Sequence, residues 1–136
     1  MLSAKQLDAL HAAVDRIIPP DDYPGAWDAG VGDYLLHQFE RDLKSALNLY
    51  IAGLDALDAE ANAFHGHDFA TLDHAAQDAL LARIEQGEVH TSWSIDPPEF
   101  FGMMVNHTAE GFYADPGNGG NRDAISWKMI GFEVTG

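Results

Sequence analysis

At 136 residues the chain has the length of one domain, since cores of workable size are commonly buried by about 100 to 150 residues, so residues 1–136 are expected to form a single domain. Apolar residues at 46% and charged residues at 21% exclude disorder along the whole chain. Twenty-two acidic residues against seven basic ones give a formal charge of -15, which repels phosphate backbones and anionic lipid and so excludes charge-driven binding to nucleic acid or membrane.

Ser3 followed by Gln6 has the capping-box pattern, and Leu7, Leu10, Val14 and Ile17 recur at helical spacing. A first helix is therefore predicted from Ala4 to Ile18, stopped by Pro19-Pro20. Asp21 to Gly25 carries turn chemistry, and a second helix is predicted over 28–42 with Val31, Tyr34, Leu35 and Phe39 on its buried face. The stripe Leu43, Leu47, Tyr50, Leu54, Leu57 and Ala61 predicts the longest helix over 43–64, weakened locally by Gly53 and ended by His65-Gly66-His67.

Asp73 can cap a fourth helix in which Leu80, Leu81 and Ile84 face inward and Gly87 is the stop. Asp96, with Pro97 at the first helical position, opens a fifth that runs to Ala114. Beyond it, the glycine- and asparagine-rich stretch from Asp115 precedes an apolar cluster of Ile125, Trp127, Met129, Ile130 and Phe132, the composition of an ordered loop clamped by a short terminal helix. No alternating β-branched run and no internal repeat appears, so the expected fold class is all-α: an irregular bundle of about five helices.

Without cysteine the chain can form no disulfide, thiolate nucleophile, cysteine-ligated cluster or Cys-x-x-Cys-His haem site. It has no apolar run of about 18 residues, so direct membrane insertion is not expected. Residues 1–5 hold neither an apolar signal core nor a twin-arginine pair.

Seven histidines raise the question of a metal. His65, His67, Asp68 and His74 bring imidazoles and a carboxylate together, but their spacing matches no ligand frame, and histidines are common at solvated helix ends. His107 and Glu110 have the three-residue spacing of di-metal bundles in reversed order and in a single copy. Asp115, Asn118, Asn121 and Asp123 lack the alternation and closing glutamate of an EF-hand, and suit a loop held by its own hydrogen bonds. Gly117-Asn118-Gly119-Gly120 follows a predicted helix, not the strand that a dinucleotide fingerprint requires. No residue is nominated as catalytic, cofactor-binding or metal-ligating. Trp27, Trp93 and Trp127 lie in or beside predicted loops, where large aromatic side chains anchor partner contacts or pack in the core.

Glu110-Gly111-Phe112-Tyr113-Ala114-Asp115-Pro116, Gly119-Gly120-Asn121-Arg122-Asp123 and Trp127-Lys128-Met129-Ile130-Gly131-Phe132 together resemble the signature of the gluconate 2-dehydrogenase subunit 3 family. Asp15-Arg16-Ile17-Ile18-Pro19, Pro24-Gly25-Ala26 and Ala29-Gly30-Val31 are similar to its opening. Gly53-Leu54-Asp55-Ala56-Leu57-Asp58 with Phe69, Leu72, Gln77 and Leu80-Leu81 resembles its middle.

The resemblance implies a non-catalytic small or gamma subunit of a bacterial sugar, polyol or glycoside dehydrogenase. Its large partner would be a flavoprotein of the glucose-methanol-choline type carrying FAD, joined in some relatives by a multihaem cytochrome c. The small subunit would stabilise and escort the large one. On this reading Trp27, Phe112, Tyr113, Asn121, Arg122, Trp127, Met129 and Phe132 are the expected partner interface. The site of action would be periplasmic if a twin-arginine leader has been removed or the partner carries one, and otherwise cytoplasmic. Two other functions fit an all-α chain: a free-standing metal-binding bundle resting on the histidines, and an export chaperone that releases its client.

Overall fold

A computed structural model describes residues 2–18, 25, 27–41 and 43–114, with Ala29, Tyr113 and Ala114 described by backbone alone. These residues form five α-helices in chain order: α1 Ala4–Ile17, α2 Gly32–Phe39, α3 Leu47–His65, α4 His74–Glu85 and α5 Pro97–Ala114. No strand occurs among the described residues, and the all-α expectation holds. The predicted terminal loop and short terminal helix lie outside the described residues, as does the Pro19-Pro20 stop.

The start of α1 is set by local chemistry. Ser3 Oγ accepts from the Gln6 amide at 3.1 Å while Gln6 Oε1 accepts from the Ser3 amide at 2.8 Å, satisfying two amide donors that a helix start leaves open. Ala9, Leu10, Ala13 and Val14 form the buried face of α1, and Leu7 and Ile17 pack at its margins.

The second helix is shorter than its sequence suggests. Residues Trp27–Val31 make a wide π-type turn, kinked at Gly30 with φ of 103°, before regular α2 begins. The Asp15 carboxylate accepts from the Trp27 amide at 3.0 Å, so α1 fixes where the chain enters this turn. At the other end the amides of Arg41 and Leu43 both turn back to the Gln38 carbonyl, at 2.9 and 2.8 Å, and break the helical ladder. Val31, Leu35 and Phe39 are buried as expected, with Tyr34 half-buried.

A 3-10 turn at Lys44–Ala46 takes up the first residues expected of the third helix, so α3 begins at Leu47. Tyr50, Leu54, Leu57 and Ala61 then fall on one inward face, while Leu43 and Leu47 are only partly buried. Gly66, at φ of 73°, closes α3 in the left-handed conformation that glycine adopts without steric cost. Gly53 has a packing reason that periodicity did not disclose. A Cβ built there would lie 2.2 Å from Cε1 of Phe100, so the α5 ring sits directly on the α3 backbone.

Asp73 caps α4 by accepting from the Ala76 amide at 2.8 Å. The helix ends in a Schellman arrangement, with Gly87 N–H donating to Ile84 O at 3.0 Å and Glu88 N–H to Arg83 O at 2.9 Å. Asp96 opens α5 by accepting from the Glu99 amide at 3.2 Å.

Packing follows from these faces. Helix α1 lies against α3, α4 and α5, and α5 touches all four other helices. Tyr50, Phe69, Phe100 and Phe112 are the largest fully buried side chains, surrounded by Leu10, Leu54, Leu57, Leu80 and Ile84. Each such leucine or isoleucine contributes on the order of 1.5–3 kcal/mol by leaving water, and truncating one to alanine costs about 2–5 kcal/mol.

Candidate partner-binding surface

The buried polar groups decide how the surface is held. Glu60 sits inside α3 at 0% exposure, and its carboxylate accepts from the amides of His90 at 2.7 Å and Thr91 at 3.1 Å and from Thr91 Oγ1 at 2.6 Å. Trp93 Nε1 approaches at 3.5 Å. Burial alone would push this carboxyl's pKa up, but the bonds from Thr91, His90 and Trp93 outweigh it and hold the group below the usual glutamate range. The connection between α4 and α5 is thereby stapled to α3 by an ionised side chain.

Asp58, two residues earlier in α3, accepts from the Phe69 amide at 3.0 Å, while Gln77 Nε2 donates to the Phe69 carbonyl at 3.0 Å. Burial raises the Asp58 pKa, a rise opposed by the Phe69 bond. Arg16 and Asp78 join α1 to α4 through two bonds of 2.8 and 3.0 Å, which lower the Asp78 pKa. None of these partners could be read from spacing, because each pairs residues that only tertiary folding brings together.

His107 is one turn from Glu110 on α5, but it is bonded to Tyr50 rather than poised toward a metal. Its Nδ1 lies 2.9 Å from the buried Tyr50 hydroxyl. Burial lowers the imidazole's pKa against the pull of Glu110, and burial raises that of the phenol. Asp68 accepts from Asn62 Nδ2 at 2.8 Å and pairs with Lys5 at 3.6 Å. Among the described residues no three or more histidine, aspartate or glutamate side chains converge as a metal site.

Of the eight residues expected at a partner interface, two have described side chains. Trp27 is half-buried: its ring stacks on His11 with centroids 4.5 Å apart, and it lies so close to Gly32 that a Cβ there would meet Cε2 at 2.7 Å. His11 in turn pairs with Asp15 at 3.2 Å, so Trp27 is held to α1 by both ring and backbone. Phe112 is fully buried within the chain's own core. Tyr113 lies in the last turn of α5, with its side chain outside the described atoms. Asn121, Arg122, Trp127, Met129 and Phe132 lie outside the described residues.

Two other surface features are on the described residues. Leu2, Leu7, Leu36, Phe39 and Leu47 line an apolar groove of about 510 Å³ with Glu40 at its rim. At the far end of α3, Phe64 is 41% exposed, with the Arg83 guanidinium 4.6 Å from its ring centroid and His90 edge-on at 4.5 Å. The sequence carries no sign of this second feature: Phe64 lies seven residues after Leu57, in register with the apolar stripe of its helix, and that spacing points it inward.

No helix among the described residues is long and apolar enough to cross a membrane. No curated protein and no solved structure shows significant similarity to the chain. Residues 4–135 match the family described as Gluconate 2-dehydrogenase subunit 3. The match takes in all five helices and extends past them through the terminal segment that carries the densest signature. The chain therefore belongs to the gluconate 2-dehydrogenase subunit 3 family, an accessory subunit of a dehydrogenase complex.

Proposed function

We propose that the chain is the small subunit of an FAD-dependent dehydrogenase of sugars, polyols or glycosides, and that it binds, stabilises and escorts a large flavoprotein of the glucose-methanol-choline type. The observation that carries the reading is the family match over residues 4–135, which includes the terminal segment as well as the helical body. FAD is assigned to the large subunit: the chain's glycine cluster, Gly117 to Gly120, comes after helix α5 rather than after a strand, the wrong order for cradling pyrophosphate. Asn121, Arg122, Trp127, Met129 and Phe132, with Trp27 and Tyr113, are assigned to the partner contact, and a cytochrome c subunit as third member is compatible with it. Action in the periplasm follows if the complex is exported on a leader of either chain.

Expressing the large subunit with and without this chain tests the proposal. The expected result is a stable complex on size-exclusion chromatography, with soluble flavoprotein falling at least fivefold when the small subunit is omitted. Equal soluble yield and activity in both preparations refutes the escort role. Dissociation of the two chains during purification would favour a releasing chaperone instead.

A further inference from the structure

The exposed end of α3 carries a second recognition feature. Phe64 is one of two large hydrophobic side chains that the described residues leave exposed. It is held in place from two sides, by the Arg83 guanidinium 4.6 Å from its centroid and by the His90 ring edge at 4.5 Å. His90 is anchored through its amide to Glu60, and Arg83 rises from α4 just before the Schellman turn, so both neighbours sit on fixed backbone. An exposed aromatic ring with little freedom is suited to making contact, because little entropy is lost when it is covered.

Charge says what would cover it. The chain holds 22 acidic residues against seven lysines and arginines. Lys5 pairs with Asp68 and Arg16 with Asp78, but no carboxylate of the described residues pairs with Arg83. Its hydrogen-bond neighbour is His90 Nδ1, at 3.5 Å from Nη2, and its Nε is buried without a partner. The carboxylate next to this cluster, Glu60, is taken up by the His90 and Thr91 amides and the Thr91 hydroxyl. A guanidinium fixed over an aromatic ring, unpaired in a strongly acidic chain, is complementary to a carboxylate from elsewhere, and arginine and aromatic residues are enriched at binding hot spots.

We infer that Phe64 and Arg83 form a docking point for a carboxylate flanked by an apolar side chain on the surface of the large dehydrogenase subunit. The carboxylate meets the outward nitrogens of Arg83 and the apolar neighbour covers the open part of the Phe64 ring. This rests on the accessory-subunit reading above and adds a contact on the helical body, away from the terminal segment.

The test uses the full chain and the large subunit that co-purifies with it, identified by mass and by its flavin absorbance. Each of Phe64→Ser, Arg83→Gln and the control Leu49→Ser is co-expressed with the large subunit, and dissociation of the purified complex on dilution is measured at low and high salt, with circular dichroism of the small chain confirming each fold. Phe64→Ser and Arg83→Gln are each expected to weaken binding at least tenfold, Leu49→Ser less than twofold, and Arg83→Gln to flatten the salt dependence. Folded variants at positions 64 and 83 that bind within twofold of the parent overturn the docking point while leaving the subunit reading intact. A parent chain that does not bind the large subunit overturns both. If Phe64→Ser abolishes self-association and leaves the heterocomplex unchanged, the surface belongs to a second copy and the proposal is wrong.

Discussion

Replacing Gly53 by alanine sets two effects of opposite sign against each other. In an exposed helix interior the change would stabilise by about 1 kcal/mol, because glycine is the poorer helix former. In α3 the added Cβ would fall 2.2, 2.4 and 2.5 Å from Cε1, Cδ1 and Cζ of Phe100. The ring must retreat by more than an ångström along one edge, and it is fully buried, with Tyr50 edge-on at 5.8 Å and Trp93 at 6.1 Å. Overpacking of this kind costs typically up to about 3 kcal/mol, so steric strain outweighs propensity and the net loss is about 2 kcal/mol. At roughly 3–5 °C per kcal/mol for a chain of this size, the thermal midpoint falls by roughly 6–10 °C. Urea denaturation followed by circular dichroism measures the loss. Phe100→Leu, which shortens the opposing side chain, should make Gly53→Ala nearly neutral, leaving a coupling of at least about 1 kcal/mol in the double-mutant cycle. A Gly53→Ala protein as stable as the parent would show that α5 does not seat on the α3 backbone as described.

Two further substitutions test the buried polar groups. Glu60→Ala leaves the His90 and Thr91 amides without their acceptor and should cost about 3 kcal/mol, read as a lower urea midpoint. The unfolded glutamate takes up its proton at a higher pH than the folded one. The Glu60 contribution is therefore complete above the usual glutamate pKa and is lost as pH falls through the depressed folded value, so parent and Glu60→Ala stabilities should converge in acid. A gap independent of pH would contradict an ionised staple. Tyr50→Phe removes the hydroxyl that lies 2.9 Å from His107 Nδ1 and should cost about 1 kcal/mol, read as a lower urea midpoint.

What the sequence disclosed was mostly what is encoded within a few residues. Ser3 with Gln6, Asp73, Asp96 before Pro97, Gly66 and Gly87 each act on backbone groups in their own turn, so their roles could be read in place and proved correct. The start of α2 was different: its geometry depends on a bond from Trp27 to Asp15 on another helix, and no local pattern carries that information. Glu60 carries no local sign of burial, because the amides that donate to its carboxylate lie about thirty residues onward in a loop of no regular structure. Gly53 read as a weak point for want of any local sign that Phe100 would land on it. As for the candidate surface, the family resemblance pointed to aromatic residues near the C-terminus, and of those Phe112 lies inside the core. Phe64 and Arg83 escaped notice because the ring and its cation come from different helices.

The Glu60 staple also bears on hydrogen exchange. Loop amides ordinarily exchange quickly, yet those of His90 and Thr91 donate to a carboxylate that is itself sealed inside a helix. Opening them requires either protonating Glu60 or separating the loop from α3, so at neutral pH they should exchange on the slow timescale of the helical core rather than that of their neighbours. Deuterium uptake in the stretch between α4 and α5 would then report the integrity of the whole bundle, through two amides that belong to no helix.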